Sequence, residues 1–334
     1  MSDEIIEGYR LSPQQRRLWL LGQSDRSAQC AVRIDGELKT DVLEDAVRQV
    51  VSQHESLRTT FKLLPGMMIP VQVISDHPDV AFIKHDLQQL GVAEQDLRIE
   101  ALFAEVVARK INYDRPALFQ CHLIARSANR HELIVSLPVA CADAASLDCL
   151  VRQIAAAYAA SSQPEKPWTT EAMQYADFAE WQNELLETEA RLASQYWKEQ
   201  NLTETDVQKL FCEKHISSTE AFQPLTIPFE ISAASGDRIK AVANRYDVPC
   251  STFALTCWQI LLLRVSDSSN IVTGIALEGR KFAELEEAIG LFSTFVPLRT
   301  RLSIDYSFAE LLQQTSALTT LRCRSTSCSK VATS

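Results

Sequence analysis

The stretch from His131 to Ala160 constrains the fold more than any other part of this chain. His131-Glu-Leu-Ile-Val-Ser-Leu137 is a strand-length apolar run. Ala144 to Ala160 carries Leu147, Leu150, Val151, Ile154 and Tyr158 on one helical face. Between them lies a loop, Pro138-Val-Ala-Cys-Ala142, ending on Asp143. An aspartate immediately before a helix is a favoured N-cap.

The same logic extends along the chain. Ser12-Pro13 opens a short helix over 13–22. Thr40 to His54 reads as an amphipathic helix, with Leu43, Val47, Val50 and His54 at helical spacing and Asp41, Glu44 and Asp45 near its start. Strands are expected at 30–35, 70–74, 117–125, 131–137 and 271–276. Further helices are expected at 92–111, 175–200, 233–246 and 251–265. Ser161-Ser-Gln-Pro-Glu-Lys-Pro167 has linker composition, and residues 202–230 show no clear pattern. The order is mixed α/β rather than strict strand–helix alternation, and no internal repeat is visible. A length of 334 residues suits two domains.

Composition narrows the function classes. The formal net charge of -10 disfavours nucleic acid as a partner, because phosphate binding needs a basic surface. The longest apolar stretch, Phe253 to Val265, is too short and too interrupted by Thr256, Gln259 and Arg264 to span a bilayer. Nine cysteines are scattered without a CxxC pair, and the N-terminus is acidic, so a reducing cytoplasm is expected. The six histidines show no metal-binding spacing, and there is no GxSxG elbow or phosphate loop.

Five separated segments resemble the condensation domains of nonribosomal peptide synthetases. Leu11-Ser-Pro-Gln-Gln-Arg-Arg-Leu-Trp-Leu20 is similar to the opening S-x-A-Q-x-R-L-W-x-L motif. Gln53-His-Glu-Ser-Leu-Arg-Thr-Thr-Phe61 is similar to R-H-E-x-L-R-T-x-F, and Tyr175-Ala-Asp-Phe-Ala-Glu-Trp-Gln182 to Y-x-D-Y-A-x-W-Q. Ile289-Gly-Leu-Phe-Ser-Thr-Phe-Val-Pro-Leu-Arg299 is similar to I-G-x-F-V-N-T-L-P-L-R, and Ser307-Phe-Ala-Glu-Leu-Leu312 continues it. The resemblance implies a mixed α/β fold of two chloramphenicol-acetyltransferase-like lobes in a V-shaped pseudo-dimer. The lobes are expected at 1–165 and 175–321. The later H-Q-x-x-P-F-E and R-D-x-S-R-N-P-like motifs have no counterpart, so the second lobe is expected to be incomplete. Residues 322–334, polar and aperiodic, are expected to form a disordered or aberrant tail.

The family motif H-H-x-x-x-D-G falls on Pro138-Val-Ala-Cys-Ala-Asp-Ala144. Its second histidine, tied in the family to amide formation, is Val139 here, which neither accepts nor donates a hydrogen bond. No catalytic residue is therefore assigned. Asp143 is expected to organise the loop, as an N-cap, as the ion-pair partner of Arg58, or as both. Pro138, Val139, Cys141 and Ser146 are candidates for lining a substrate tunnel. Cys141 lacks an activating charge and reads as an inert buried thiol, and Ser146 has the alternative of a local helix-start role. His54 is expected to pack or hydrogen-bond rather than act as a base. Asp143 and Asp148 match D-x-x-x-x-D of heterocyclization domains, but five helical residues rotate Asp148 by about 140°, so the two carboxylates should not share a pocket.

The resemblance leaves several readings open. One is amide-bond formation between a carrier-bound acyl donor and a carrier-bound aminoacyl acceptor, relying on proximity. The alternative is a noncatalytic module that docks carrier proteins. A weaker third is a free-standing acyltransferase. The expected partners are acyl or peptidyl carrier proteins, whose phosphopantetheine arms bring the reacting groups, and adjacent synthetase domains. No cofactor or metal of the chain's own, no nucleic acid and no membrane is expected, and the chain is expected to be monomeric.

Overall fold

The computed structural model describes residues 7–77, 79–113, 118–161, 168–199, 210, 227–266 and 268–325. All but Ser161 of the expected linker at 161–167, and most of the unpatterned 202–230, lie outside them. The chain divides into two compact units, Met1–Thr188 with Glu278–Thr294, and Glu189–Leu277 with Phe295–Ser334.

The first unit is built on a four-stranded sheet. In chain order it contains α1 (Pro13–Leu20), β1 (Ser27–Asp35), α2 (Thr40–Gln53), β2 (Thr59–Lys62), β3 (Val71–Ile74), β4 (Val80–Asp86), α3 (Val92–Ala108), β5 (Phe119–Ser127), β6 (Arg130–Pro138) and α4 (Ala144–Ala160). The helix α5 (Tyr175–Glu199) follows. The sheet order is β1-β6-β5-β4, and β2 pairs with β3 separately. β6 runs antiparallel to both β1 and β5, whereas β4 and β5 are parallel. The parallel pair needs a crossover, and α3 supplies it.

Side-chain alternation gives the sheet two buried faces. Phe119, Cys121, Leu123, Leu133, Val135 and Leu137 face α2 and α4, meeting Val47, Val50, Leu150 and Ile154. Ile124 and Ile134 point the other way, against Leu102 and Val106 of α3. This double burial explains why β5 and β6 read as continuous apolar runs rather than alternating ones. Pro138 closes β6 opposite Ser27, past Ser136, the last β6 residue that pairs with β5, so its missing N–H interrupts no ladder there.

The second unit contains α6 (Ala233–Arg245), α7 (Cys250–Val265), β7 (Asn270–Leu277), β8 (Thr294–Arg301) and α8 (Phe308–Ser325), with β7 and β8 paired. Ala243, Val248 and Leu312 form one small core, and Ile271, Leu302 and Leu311 another. Gln259 of α7 is buried and bonds Thr300 of β8 at 2.9 Å and Thr315 of α8 at 3.1 Å. α8 runs to Ser325 and so takes in residues 322–325 of the expected disordered tail; a helix already started at Phe308 simply extends. Residues 326–334 lie outside the described residues.

Several strands escape the sequence reading. β2 is four residues long, and β4 is an edge strand whose pattern is broken by Lys84 and Asp86. Both owe their conformation to a paired neighbour rather than to local alternation. β1 likewise begins at Ser27, three residues before the apolar signal, because Ser27, Ala28 and Gln29 pair with Pro138, Leu137 and Ser136.

Candidate active site

The loop after β6 is tied down by its backbone. Val139 N donates to Arg26 O at 3.0 Å, and Cys141 N donates to Pro138 O at 2.8 Å, closing a turn. Asp143 N then donates to Gly290 O at 3.2 Å, and its extended conformation starts α4.

Asp143 is both a cap and an ion-pair partner. Its Oδ1 accepts from Ser146 N at 2.8 Å, the N-cap bond of α4. Its Oδ2 accepts from Phe292 N at 3.0 Å, Ser293 N at 2.8 Å and Ser293 Oγ at 3.0 Å. Arg280 Nη1 reaches both oxygens, at 3.2 and 3.3 Å. Both side chains are buried, Asp143 to 5% exposure and Arg280 to 8%. A charge pair taken out of water is costly unless further hydrogen bonds offset its desolvation, and in this pair every polar side-chain atom except Arg280 Nε has a partner. Here Arg280 Nη2 also donates to Ser146 Oγ at 2.6 Å and Ala288 O at 3.3 Å, and the guanidinium lies 4.3 Å from the centroid of the Phe292 ring.

The expected pairing of Asp143 with Arg58 is corrected by this geometry. Arg58 ends a short 3-10 turn and donates through Nη1 to Ser75 O, while Nη2 stands 3.9 Å from Glu55. Ser75 N in turn donates to Arg58 O at 3.0 Å. Arg58 therefore fastens the end of the β2–β3 pair. Arg280 was not singled out by the sequence, because it lies 137 positions from Asp143 and outside every quoted motif. The neighbouring Ile289-Gly-Leu-Phe motif was the available signal. Its Gly290 is required: an added Cβ would overlap the Tyr175 ring.

The four lining candidates behave differently. Ser146 is fully buried, donates to Gly290 O at 2.6 Å and accepts from Gly290 N at 3.0 Å, so its hydroxyl is committed within the first unit. Cys141 is buried, and burial pushes its thiol up to about 12, leaving negligible thiolate at neutral pH. Both side chains are thus buried within the first unit, the Ser146 hydroxyl bonded to Gly290 and the Cys141 thiol protonated. Pro138 is buried in the strand end, and Val139 is half-buried. His54 is buried, with Nε2 2.5 Å from Gln153 Oε1, and burial holds its imidazole below the usual histidine range. Asp148 is 78% exposed and 3.4 Å from Arg152, away from the buried Asp143. Among the described residues no three His, Cys, Asp or Glu side chains are grouped to hold a metal ion, and no single helix is long and apolar enough to cross a membrane.

This mixed α/β architecture is that of solved condensation domains. The first condensation domain of the calcium-dependent antibiotic synthetase, in complex with a substrate analogue, matches with a TM-score of 0.83 at 17% identity, over 96% of this chain and 76% of that one. The X-domain in its complex with OxyB from teicoplanin biosynthesis matches at 0.74 and 24% identity, over 97% of this chain and 72% of that one. A chondramide synthase of Chondromyces crocatus is 30% identical over 311 residues, which is 91% of this chain and 8% of that protein. The chain thus spans a small part of the synthase it resembles. The family model for the Condensation domain matches residues 5–323, and the chain belongs to that family.

Proposed function

We propose that this chain is a noncatalytic condensation-type domain of a nonribosomal peptide or hybrid polyketide–peptide assembly line. It binds carrier proteins whose phosphopantetheine arms present an acyl donor and an aminoacyl acceptor. One observation carries the reading: the loop scaffold is retained around a sequence, Pro138 to Ala142, with no side chain able to move a proton near neutral pH. His54 does not replace the missing group, because its Nε2 is bonded to Gln153 in the interior. The X-domain, solved in complex with OxyB, supports a docking role for a domain of this fold. The protein works in the cytoplasm as a monomer alongside its synthetase partners.

A second reading, amide formation by approximation alone, is favoured by the buried Asp143–Arg280 pair, which anchors the end of the loop. One experiment separates the two. Donor and acceptor aminoacyl carriers are mixed with the protein in a single turnover, and intact-protein mass spectrometry looks for a dipeptidyl thioester. Carrier binding without product is the expected result. Product above the enzyme-free control establishes the second reading, and absence of carrier binding defeats both.

A further inference from the structure

The loop from Pro138 to Ala142 is suspended from α1 by one side chain. Gln15 is 2% exposed. Its Nε2 donates to Ala140 O at 2.9 Å and to Gln72 Oε1 at 2.9 Å. Its Oε1 accepts from Ser12 N at 2.9 Å, one half of a capping box. Both donor hydrogens and the acceptor are used, so the amide has one orientation; a flip would set its NH2 against the Ser12 N–H. Gln72 is itself held, with Nε2 donating to Arg10 O at 2.8 Å and its backbone exchanging 2.8 Å bonds with Tyr9.

The other half of the box leads to the far side of the loop. Ser12 Oγ accepts from Gln15 N at 3.1 Å and lies 2.7 Å from Tyr175 OH. Tyr175 OH donates to Leu291 O at 2.7 Å, beside the segment that holds Asp143. One helix N-terminus thus reaches both the loop and its clamp. The loop has no polar side chain between Pro138 and Ala142 apart from the buried Cys141, so its placement depends on groups that grip its backbone.

We infer that Gln15 is a positioning residue of the 138–142 loop, holding the carbonyl of Ala140 and so, together with the Val139 N bond to Arg26 O, the place of Val139. The inference concerns the same loop as the proposed function, but it holds whether the loop meets a carrier-borne substrate or not.

The test uses hydrogen exchange read by mass spectrometry on the full chain, with rates corrected for intrinsic exchange at each pH. Gln15→Glu keeps the acceptor for Ser12 N but, when ionised, turns a carboxylate oxygen toward Ala140 O and Gln72 Oε1. Buried against two acceptors, that carboxyl takes up a proton as pH falls and regains one donor. Exchange across 138–142 is expected to rise roughly tenfold in Gln15→Glu at pH about 8, the factor for one lost hydrogen bond, and to return toward the parent value near pH 6. Gln15→Leu should lose protection at both pH values. Ser12→Ala removes the Tyr175 contact but leaves the Gln15 amide, and should leave 138–142 protected. Parent-like protection of the loop in Gln15→Glu at pH 8, or loss of protection that does not respond to pH, overturns the inference. If Gln15→Leu does not fold, the Gln15→Glu profile still decides. No carrier enters the assay, so failure of carrier binding does not touch this result.

Discussion

Removing the Asp143 carboxylate should cost far more than removing its arginine partner. In Asp143→Ala, Arg280 keeps a buried guanidinium with no anion, while the amides of Ser146, Phe292 and Ser293 lose their acceptor. Breaking a buried pair from one side typically costs about 3–5 kcal/mol. For a unit of roughly 200 residues, each kcal/mol lowers the melting temperature by about 2–4 °C, so a fall of about 10 °C is expected. In Arg280→Met the carboxylate still accepts from Ser146 N, Phe292 N, Ser293 N and Ser293 Oγ. The loss there should be nearer about 2 kcal/mol, the cost of one charge-assisted pairing. The double variant should be less damaged than the two single losses combined, since neither charge is left alone. Urea unfolding followed by circular dichroism reads all three. An Asp143→Ala variant within about 1 kcal/mol of the parent, or one less damaged than Arg280→Met, would refute the argument that the carboxylate organises this site.

Acid should weaken the first unit through the buried His54 and His122 and the half-buried His85. Burial lowers the pKa of His54, His85 and His122; Arg98 adds to the effect at His85, and His85 and Arg109 add to it at His122. An unfolded chain takes up protons at these rings as pH drops below about 6.5, while the folded chain resists, so stability is full above that value and declines below it. The urea midpoint should therefore fall from pH about 7 toward pH 5, and less so in His54→Gln. Alkylation of the native protein should spare Cys141, whose thiol is pushed up to about 12, and label the exposed Cys250, as peptide mapping would show. Gly290→Ala should reduce soluble folded protein sharply, because the new methyl carbon would run into the Tyr175 ring in a region with no room to relax. A soluble variant with parent stability would show that the Tyr175 ring can move.

The sequence by itself determined what depends on neighbours a few residues apart. The bounds of α4, Ala144–Ala160, follow from helical spacing and an aspartate cap, and both are found. α2 ends within one residue of its apolar pattern. The chemistry of the loop was legible too, since Val139 cannot accept a proton in any fold, and an uncharged Cys141 neighbourhood predicted an inert thiol. What tertiary structure decided was partnership across the chain. Arg58 and Arg280 are equivalent as residues, and the choice between them rests on which loop the fold brings to Asp143. The segment 278–294 joins the first unit although almost ninety residues separate it from Thr188. Gln15, read only as part of a motif, gained its role when α1 was set against Ala140. The physical reason is the same in each case. Caps and periodicity are local and leave a mark in the order of residues, whereas a buried charge or amide is satisfied by whatever group packing delivers, and that depends on the folding of the whole unit.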